Sequence, residues 1–135
     1  GYVTGAVLRG IRGADLLVAE ANHDVEWVQS GPYPYHLKAR ILGDRGHLSN
    51  EAGAELAGRA ALAGTRTILL AHLSSENNTP ARAREVGSRR LSALGVRPEE
   101  DITLAVAPRS ECGALYQLER GGALRAFPAR EASLC

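Results

Sequence analysis

Three short apolar runs divide the chain, and within each run the apolar residues do not alternate with polar ones. They occupy residues 16–19, 67–71 and 102–107. Uninterrupted runs of this length are typical of strands that are covered on both faces, as in a parallel sheet. The pattern therefore predicts three buried parallel strands.

Segments with helical signals lie before and between these runs. One helix is expected from residue 49 or 50 to about residue 63, because a Ser-Asn pair can cap its start and a glycine follows its end. A second is expected from residue 79 or 80 to residue 94, with proline in its first turn. Shorter helices are expected over residues 4–11 and from residue 34 or 35 to residue 41. The second helix has its apolar residues on one face: Ala83, Val86, Leu91 and Leu94.

The tail of the chain has a different pattern. Residues 114–118 and 123–127 are separated by the sequence Glu-Arg-Gly-Gly, which predicts a terminal hairpin with a glycine turn. The full order is helix, strand, two helices, strand, helix, strand and hairpin. This order predicts an α/β fold with a mainly parallel sheet and right-handed crossover helices.

The composition is that of a globular domain, since 44% of the 135 residues are hydrophobic and 23% are charged. A formal net charge of +1 gives no global field for nucleic acid or a membrane, so any such contact has to be local. Two cysteines, Cys112 and Cys135, are too few for a disulfide framework and suit a reducing cytoplasm. No signal peptide or apolar stretch of about 20 residues is present, so we expect a cytoplasmic protein without membrane contact.

Polar groups that bind metals or move protons follow the first two apolar runs. In open α/β sheets, ligands bind beyond the carboxyl ends of the strands. The first run leads into Glu20 and the sequence Ala-Asn-His-Asp, and the second leads into His72. A third candidate, His47, lies in a polar turn just before a helix. Three of the four histidines thus fall in polar turns.

Each candidate also has a structural interpretation. Glu20 can cap a helix or pair with an arginine, and His47 can be a turn residue that bonds to backbone. His72 has the position of a typical ligand, at the end of a buried strand. His23 and Asp24 are adjacent, so on an extended segment they point to opposite sides and do not easily share a metal. The remaining histidine, His36, is expected at the surface of a helix.

Several motifs occur in order along the chain: Glu-Ala-Asn-His-Asp at residues 20–24, Gly-Pro-Tyr-Pro-Tyr at 31–35, Lys38 with Arg-Ile-Leu at 40–42, Gly-His-Leu-Ser-Asn at 46–50, and Ala-His-Leu-Ser with Glu-Asn-Asn-Thr-Pro within 71–80. This succession resembles the metallo-β-lactamase fold hydrolases of the YycJ/WalJ branch. The resemblance extends over nearly the whole chain, to about Leu118. It implies an αββα sandwich of two halves, of which this chain is similar to the C-terminal half.

The resemblance also implies which metal ligands the chain carries. The HxHxDH motif, the third histidine and the metal-bridging aspartate of that family would all lie upstream of Gly1. Only His72 corresponds to a family metal ligand, the last histidine. The sequence contains no methionine, which agrees with a processed product or part of a longer reading frame. We therefore expect two divalent ions, zinc or manganese, in the complete enzyme and no activity from this chain alone.

A proton-donating pair is implied by similarity to a more distant branch. Ribonuclease Z enzymes have a succession of Glu, Gly-His and His-Phe-Ser in which a glutamate orients a histidine that protonates the leaving group. By that similarity, Glu20 would orient His47 as the catalytic proton donor. A histidine held by a carboxylate can protonate an alkoxide near neutral pH.

Substrate contacts have weaker signals. The Asn-Asn-Thr-Pro turn is expected to cap the following helix, and Ser74 and Glu76 to support His72.

A helix with four arginines is expected to be a solvated face in which Glu85 pairs with Arg89. These arginines are Arg82, Arg84, Arg89 and Arg90. A further group can stack on bases and meet phosphates, or simply pack against the sheet: Trp27, Tyr33, Tyr35, His36, Lys38, Arg40 and Arg45.

Three functions are compatible with the sequence. The first is a metal-dependent phosphodiesterase, a 5′ to 3′ exonuclease on DNA as the resemblance implies. The second keeps the fold but hydrolyses a small thioester or lactone. The third is a metal-free α/β binding module. Nuclease activity would depend strongly on salt, whereas thioesterase activity would not.

Overall fold

The computed structural model describes residues 1–118 and 124–128. Its elements are α1 (Gly5–Gly10), β1 (Leu16–Glu20), α2 (Val25–Ser30), α3 (Tyr35–Leu42), α4 (Asn50–Leu62), β2 (Thr67–Ala71), α5 (Pro80–Ala93), β3 (Thr103–Val106), β4 (Leu115–Leu118) and β5 (Leu124–Phe127). Three strands form a parallel sheet in the order β1-β2-β3, and β4 pairs with β5 in an antiparallel hairpin. The predicted α/β class is confirmed.

One helix, α2, was not predicted from the sequence. It has six residues, and Val28 is the one that is buried. Asp24 is its N-cap, since the Asp24 carboxylate accepts a hydrogen bond from the amide of Trp27 at 3.1 Å. Such a short helix has too few apolar positions to show a helical period. The other strands and helices agree with the predicted segments to within one or two residues at each end.

Helices α4 and α5 pack against each other and against one face of the sheet. Alternate residues of each strand point into this core, and they form a layer of small and branched side chains under the two helices. The layer consists of Leu17, Ala19, Ile68, Leu70 and Leu104. The core thus lies on a single side of the sheet.

The opposite face of the sheet is partly exposed, so the expectation of strands covered on both faces is wrong. Val18 points away from α4 and α5 and is 58% exposed. Its neighbour across the ladder, Leu69, is only partly buried. Two helices on one face leave the other face without a helical layer among the described residues. A parallel sheet with helices on one side is consistent with one half of an αββα sandwich.

The tail is described only in part. Strands β4 and β5 confirm the predicted hairpin, but its glycine turn at residues 119–122 lies outside the described residues, as does Cys135. Cys112 is exposed and forms no disulfide. Within residues 1–118 and 124–128, no helix is both long and apolar enough to cross a bilayer.

The arginines of α5 correct the expected pairing of Glu85 with Arg89. Arg84 donates to the backbone carbonyl of Leu104 at 2.6 Å, which joins α5 to β3. Arg90 pairs with Glu55 and joins α5 to α4. Arg82 and not Arg89 pairs with Glu85, at 3.2 Å, and Arg82 also pairs with Asp24 before α2, at 2.7 Å. Three of the four arginines therefore tie α5 to its surroundings.

Candidate metal and acid–base site

Three side chains converge at the carboxyl end of the sheet. Glu20 is the last residue of β1, His72 directly follows β2, and His47 lies in the loop before α4. Nδ1 of His47 lies 2.7 Å from Oε1 of Glu20, and Nδ1 of His72 lies 2.6 Å from the same oxygen. The two imidazole rings meet edge to face with centroids 5.0 Å apart. We call these three residues the Glu20 cluster.

The strand register explains why residues far apart in sequence meet here. Glu20 is paired with Ala71 across the parallel β1–β2 ladder, so the next residue, His72, lies beside it. The second carboxylate oxygen of Glu20 accepts the backbone amide of Leu48 at 3.0 Å, which brings the His47 loop to the strand end. Both oxygens of Glu20 are thus occupied.

A close approach of α4 fixes the backbone at Glu20. A Cβ atom built on Gly53 would lie 2.2 Å from the carbonyl oxygen of Glu20. Real Cβ contacts are not this short, so only glycine allows the helix to approach the end of β1. Gly53 therefore allows α4 to contact the backbone at the end of β1, where Glu20 lies.

The backbone of His72 has an uncommon conformation. Its φ of 59° lies in the left-handed region, which L-residues other than glycine seldom occupy. Asn22 holds this peptide, because its side-chain amide donates to the carbonyl of His72 at 2.7 Å. Strained backbone that is held by its surroundings clusters at functional sites.

A buried pair of asparagines joins the loops that carry the cluster. Asn50 and Asn78 exchange side-chain hydrogen bonds at 3.0 and 2.7 Å. Asn78 also donates to the carbonyl of Ala21 at 2.8 Å and, more weakly, to that of Asn22 at 3.2 Å. The sequence alone did not assign this role to either residue. The predicted capping of α5 by the Asn-Asn-Thr-Pro turn is confirmed, because the hydroxyl of Thr79 accepts the amide of Arg82 at 3.2 Å.

Hydrogen bonds decide the charge state of Glu20. Burial acts to raise the pKa of its carboxyl group, but the Leu48 amide and the rings of His72 and His47 outweigh it, so the pKa lies below its usual value. A carboxylate oxygen can only accept, so each ring has its proton on Nδ1. The Nε2 atoms of both histidines are then free for a metal or a proton.

The distances within the Glu20 cluster suit metal binding by the histidines, with Glu20 bonded behind them. Atoms that bind one tetrahedral zinc at about 2.0–2.1 Å lie about 3.3 Å from each other. The distances of 2.6 and 2.7 Å from Oε1 of Glu20 are hydrogen-bond distances and are too short for two such ligands. Glu20 therefore acts as a partner that orients the histidines, a common arrangement behind metal-binding histidines.

Other predicted residues lie outside the cluster. Asp24 is buried and forms an ion pair with Arg82 at 2.7 Å. His23 is also buried, and burial lowers its pKa. His36 lies exposed on α3, as predicted. The expected support of His72 by Ser74 and Glu76 is wrong.

The loop after β2 shows why these two residues do not reach His72. Ser74 accepts the amides of Glu76 and Asn77, at 3.3 and 3.2 Å, and so organises the loop itself. Glu76 accepts a hydrogen bond from the hydroxyl of Tyr33. Arg109 donates to the carbonyls of Leu73 and Ser74. Sequence reasoning gave no role to Arg109, because an arginine so far along the chain carries no local signal.

Comparisons with known proteins bear on the identity of the chain. It is 51% identical over 78 residues to "Exodeoxyribonuclease WalJ" of Streptococcus pneumoniae serotype 2 (strain D39). The matched region covers 58% of this chain and 29% of that protein. It is 42% identical over 95 residues to "Exodeoxyribonuclease YycJ" of Bacillus anthracis, over 70% of this chain and 36% of that protein. The resemblance to the YycJ/WalJ branch is confirmed.

The matches have a limited extent. The chain spans about a third of the length of these curated relatives. No family model matches it, and no solved structure matches it. Identity of 42–51% over most of the chain nevertheless agrees with the order of motifs that carries the YycJ/WalJ resemblance.

Proposed function

We propose that this chain supplies the proton-donating pair and the last metal-binding histidine of a metal-dependent exonuclease that acts on DNA. The observation that carries the proposal is the single carboxylate oxygen of Glu20 that accepts Nδ1 of both His47 and His72. This arrangement leaves the Nε2 atoms of two neighbouring imidazole rings free at the carboxyl end of a parallel sheet. The names of the two relatives support DNA as the substrate.

His72 is the residue that would hold a divalent metal, zinc or manganese. Its side chain is 66% exposed, and its Nε2 is the free nitrogen. A bound divalent metal polarises the phosphoryl oxygen and so makes the phosphodiester easier to attack. Glu20 fixes the ring orientation and tautomer of His72, and Asn22 fixes its backbone.

His47 is the proposed proton donor. Hydrolysis of a phosphodiester releases an alkoxide oxygen, which has to be protonated. The proton on Nε2 of a charged His47 can move to that oxygen. Glu20 stabilises the charged ring through the hydrogen bond to Nδ1, as a carboxylate does for other catalytic histidines.

This chain supplies only part of the proposed metal site. A catalytic zinc needs about three protein ligands and one open position, and a two-metal centre needs more. His72 alone does not meet this number. We therefore assign the other ligands to an N-terminal metal-binding half that this chain does not contain, and we expect the chain alone to be inactive and the complete enzyme to act in the cytoplasm.

The test measures nucleotide release from DNA by the protein that the whole reading frame encodes, with Mn²⁺ or Zn²⁺. The complete protein should release mononucleotides, and this chain alone should not. His72→Ala should abolish release, and His47→Ala should lower it by about 10²–10⁴-fold. Arg89→Ala, at an exposed residue of α5 outside the cluster, is the control and should leave release unchanged.

Three results would overturn parts of the proposal. Full activity of the His72→Ala and His47→Ala proteins would remove both assigned roles. Metal-dependent cleavage of DNA by this chain alone would overturn the incomplete metal site. Hydrolysis of a thioester without cleavage of DNA would favour a small-molecule hydrolase.

A further inference from the structure

A cavity of about 390 Å³ adjoins the Glu20 cluster on the side of α3. His47 belongs to both, so a molecule in the cavity lies against the proposed proton donor. We call this cavity the α3 groove. It is lined by Leu37, Arg40, Ile41, Arg45, Gly46 and His47.

A tight turn brings the two arginines of the groove together. Arg40 is in the last turn of α3, and Arg45 lies in the turn that follows, which the Gly46 amide closes on the carbonyl of Gly43 at 2.8 Å. A Cβ atom on Gly46 would lie 2.1 Å from the carbonyl of Ile41. Only glycine therefore lets the turn press against the helix end and carry Arg45 and His47 to the same groove.

The groove has a positive charge that the surrounding protein does not neutralise. Among residues 1–118 and 124–128, neither Arg40 nor Arg45 has an ion-pair or hydrogen-bond partner. Arg82, Arg84 and Arg90 of α5, in contrast, are all paired. The described lining of the groove includes no acidic side chain. Two unpaired guanidinium groups in one cavity are suited to a phosphate, which arginine binds through two parallel hydrogen bonds.

We propose that the α3 groove binds a backbone phosphate of the DNA strand next to the bond that is cut, through Arg40 and Arg45. This inference rests on the proposed function and gives it a subsite. A phosphate in the groove places the neighbouring phosphodiester beside His47. The two arginines thereby select a polyanionic strand over an uncharged ester.

The test measures binding of the full chain to a single-stranded dT12 oligonucleotide with a 3′ fluorescein, by anisotropy at several salt concentrations. Arg40→Ala and Arg45→Ala should each weaken binding about tenfold. Each should also make the slope of log affinity against log salt less negative by about 0.7. Arg89→Ala is the matched control, because Arg89 is exposed on α5, lies outside the groove and has no partner among the described residues.

A second probe separates phosphate binding from contacts to the bases. A dT12 strand with neutral methylphosphonate linkages should bind weakly and equally to the wild-type and Arg40→Ala/Arg45→Ala chains. Equal affinity of both chains for the ordinary dT12, or loss of affinity in Arg89→Ala to the same degree, would overturn the subsite. If the two arginines prove necessary for dT12 binding but the complete protein does not cleave DNA, the subsite stands and the nuclease function fails.

Discussion

Oε1 of Glu20 lies 2.6 Å from Nδ1 of His72, although 52 positions separate the two residues in the chain. The parallel register of β1 and β2 causes this contact, because it places the ends of both strands at one edge. The same oxygen also accepts Nδ1 of His47. One carboxylate therefore controls the tautomer of two histidines, and a change at Glu20 should affect both.

Glu20→Gln tests this shared control. A glutamine of the same shape offers one acceptor and one donor group in place of two acceptor oxygens, so it cannot hold both rings and the Leu48 amide as the carboxylate does. In the wild-type chain, ¹⁵N-edited NMR at a pH where both rings are neutral should find the ring proton of His47 and of His72 on Nδ1. In the variant, at least one ring should shift towards the Nε2–H form. The signals of His36, which lies outside the cluster, should not change.

The catalytic effect of the same substitution follows from its position behind His72, the proposed metal ligand. Loss of such an orienting partner costs about 10–100-fold in metal affinity or activity. The complete protein with Glu20→Gln should lose activity in this range. An unchanged tautomer of both rings, or unchanged activity, would contradict the role assigned to Glu20.

The left-handed backbone of His72 predicts an unusual order of stabilities. His72→Gly and His72→Ala remove the same imidazole ring, but glycine adopts a φ of 59° at no steric cost and alanine does not. The glycine variant should therefore be more stable than the alanine variant by about 1 kcal/mol. Urea unfolding of the full chain measures the difference. At Arg89, within α5, the order should reverse, because glycine costs about 1 kcal/mol relative to alanine in a helix.

The strands and most helices could be predicted because their signals are local. Leu69 and its neighbours form a continuous apolar run, and Thr79 with Pro80 marks a helix start whatever packs around it. The short helix α2 was missed for the opposite reason. Asp24 looked like a candidate for chemistry, whereas its carboxylate caps a helix and pairs with a residue 58 positions away.

The candidate site was predictable in part. Strand ends in α/β sheets point to Glu20 and His72, and the family resemblance adds His47. The asparagines Asn50 and Asn78 could not be recognised, because a polar residue in a turn has the same sequence pattern whether it faces solvent or bonds to another loop. In the folded chain both asparagines are buried, and their hydrogen bonds join three loops.

The buried ion pair between Asp24 and Arg82 predicts how stability depends on pH. Burial acts to raise the pKa of Asp24, but the hydrogen bonds from Arg82 and from the Trp27 amide outweigh it and lower the pKa. A carboxyl group whose pKa is lower in the folded state stabilises the fold above its unfolded pKa of about 3.9, and this contribution is lost as the pH falls through the folded value. Acid should therefore release α2 from α5.

Asp24→Asn isolates this contribution. Asparagine keeps the N-cap acceptor for α2 but removes the charge that pairs with Arg82. At pH 7 the variant should lose about 2 kcal/mol of unfolding free energy, the scale of a hydrogen bond to a charged group. Below pH 4 the loss should shrink, because protonation of the wild-type carboxyl then removes the same charge. Urea unfolding curves between pH 7 and pH 3 measure this convergence. A difference between the two chains that stays constant over the whole range would mean that the Asp24 charge does not stabilise the fold.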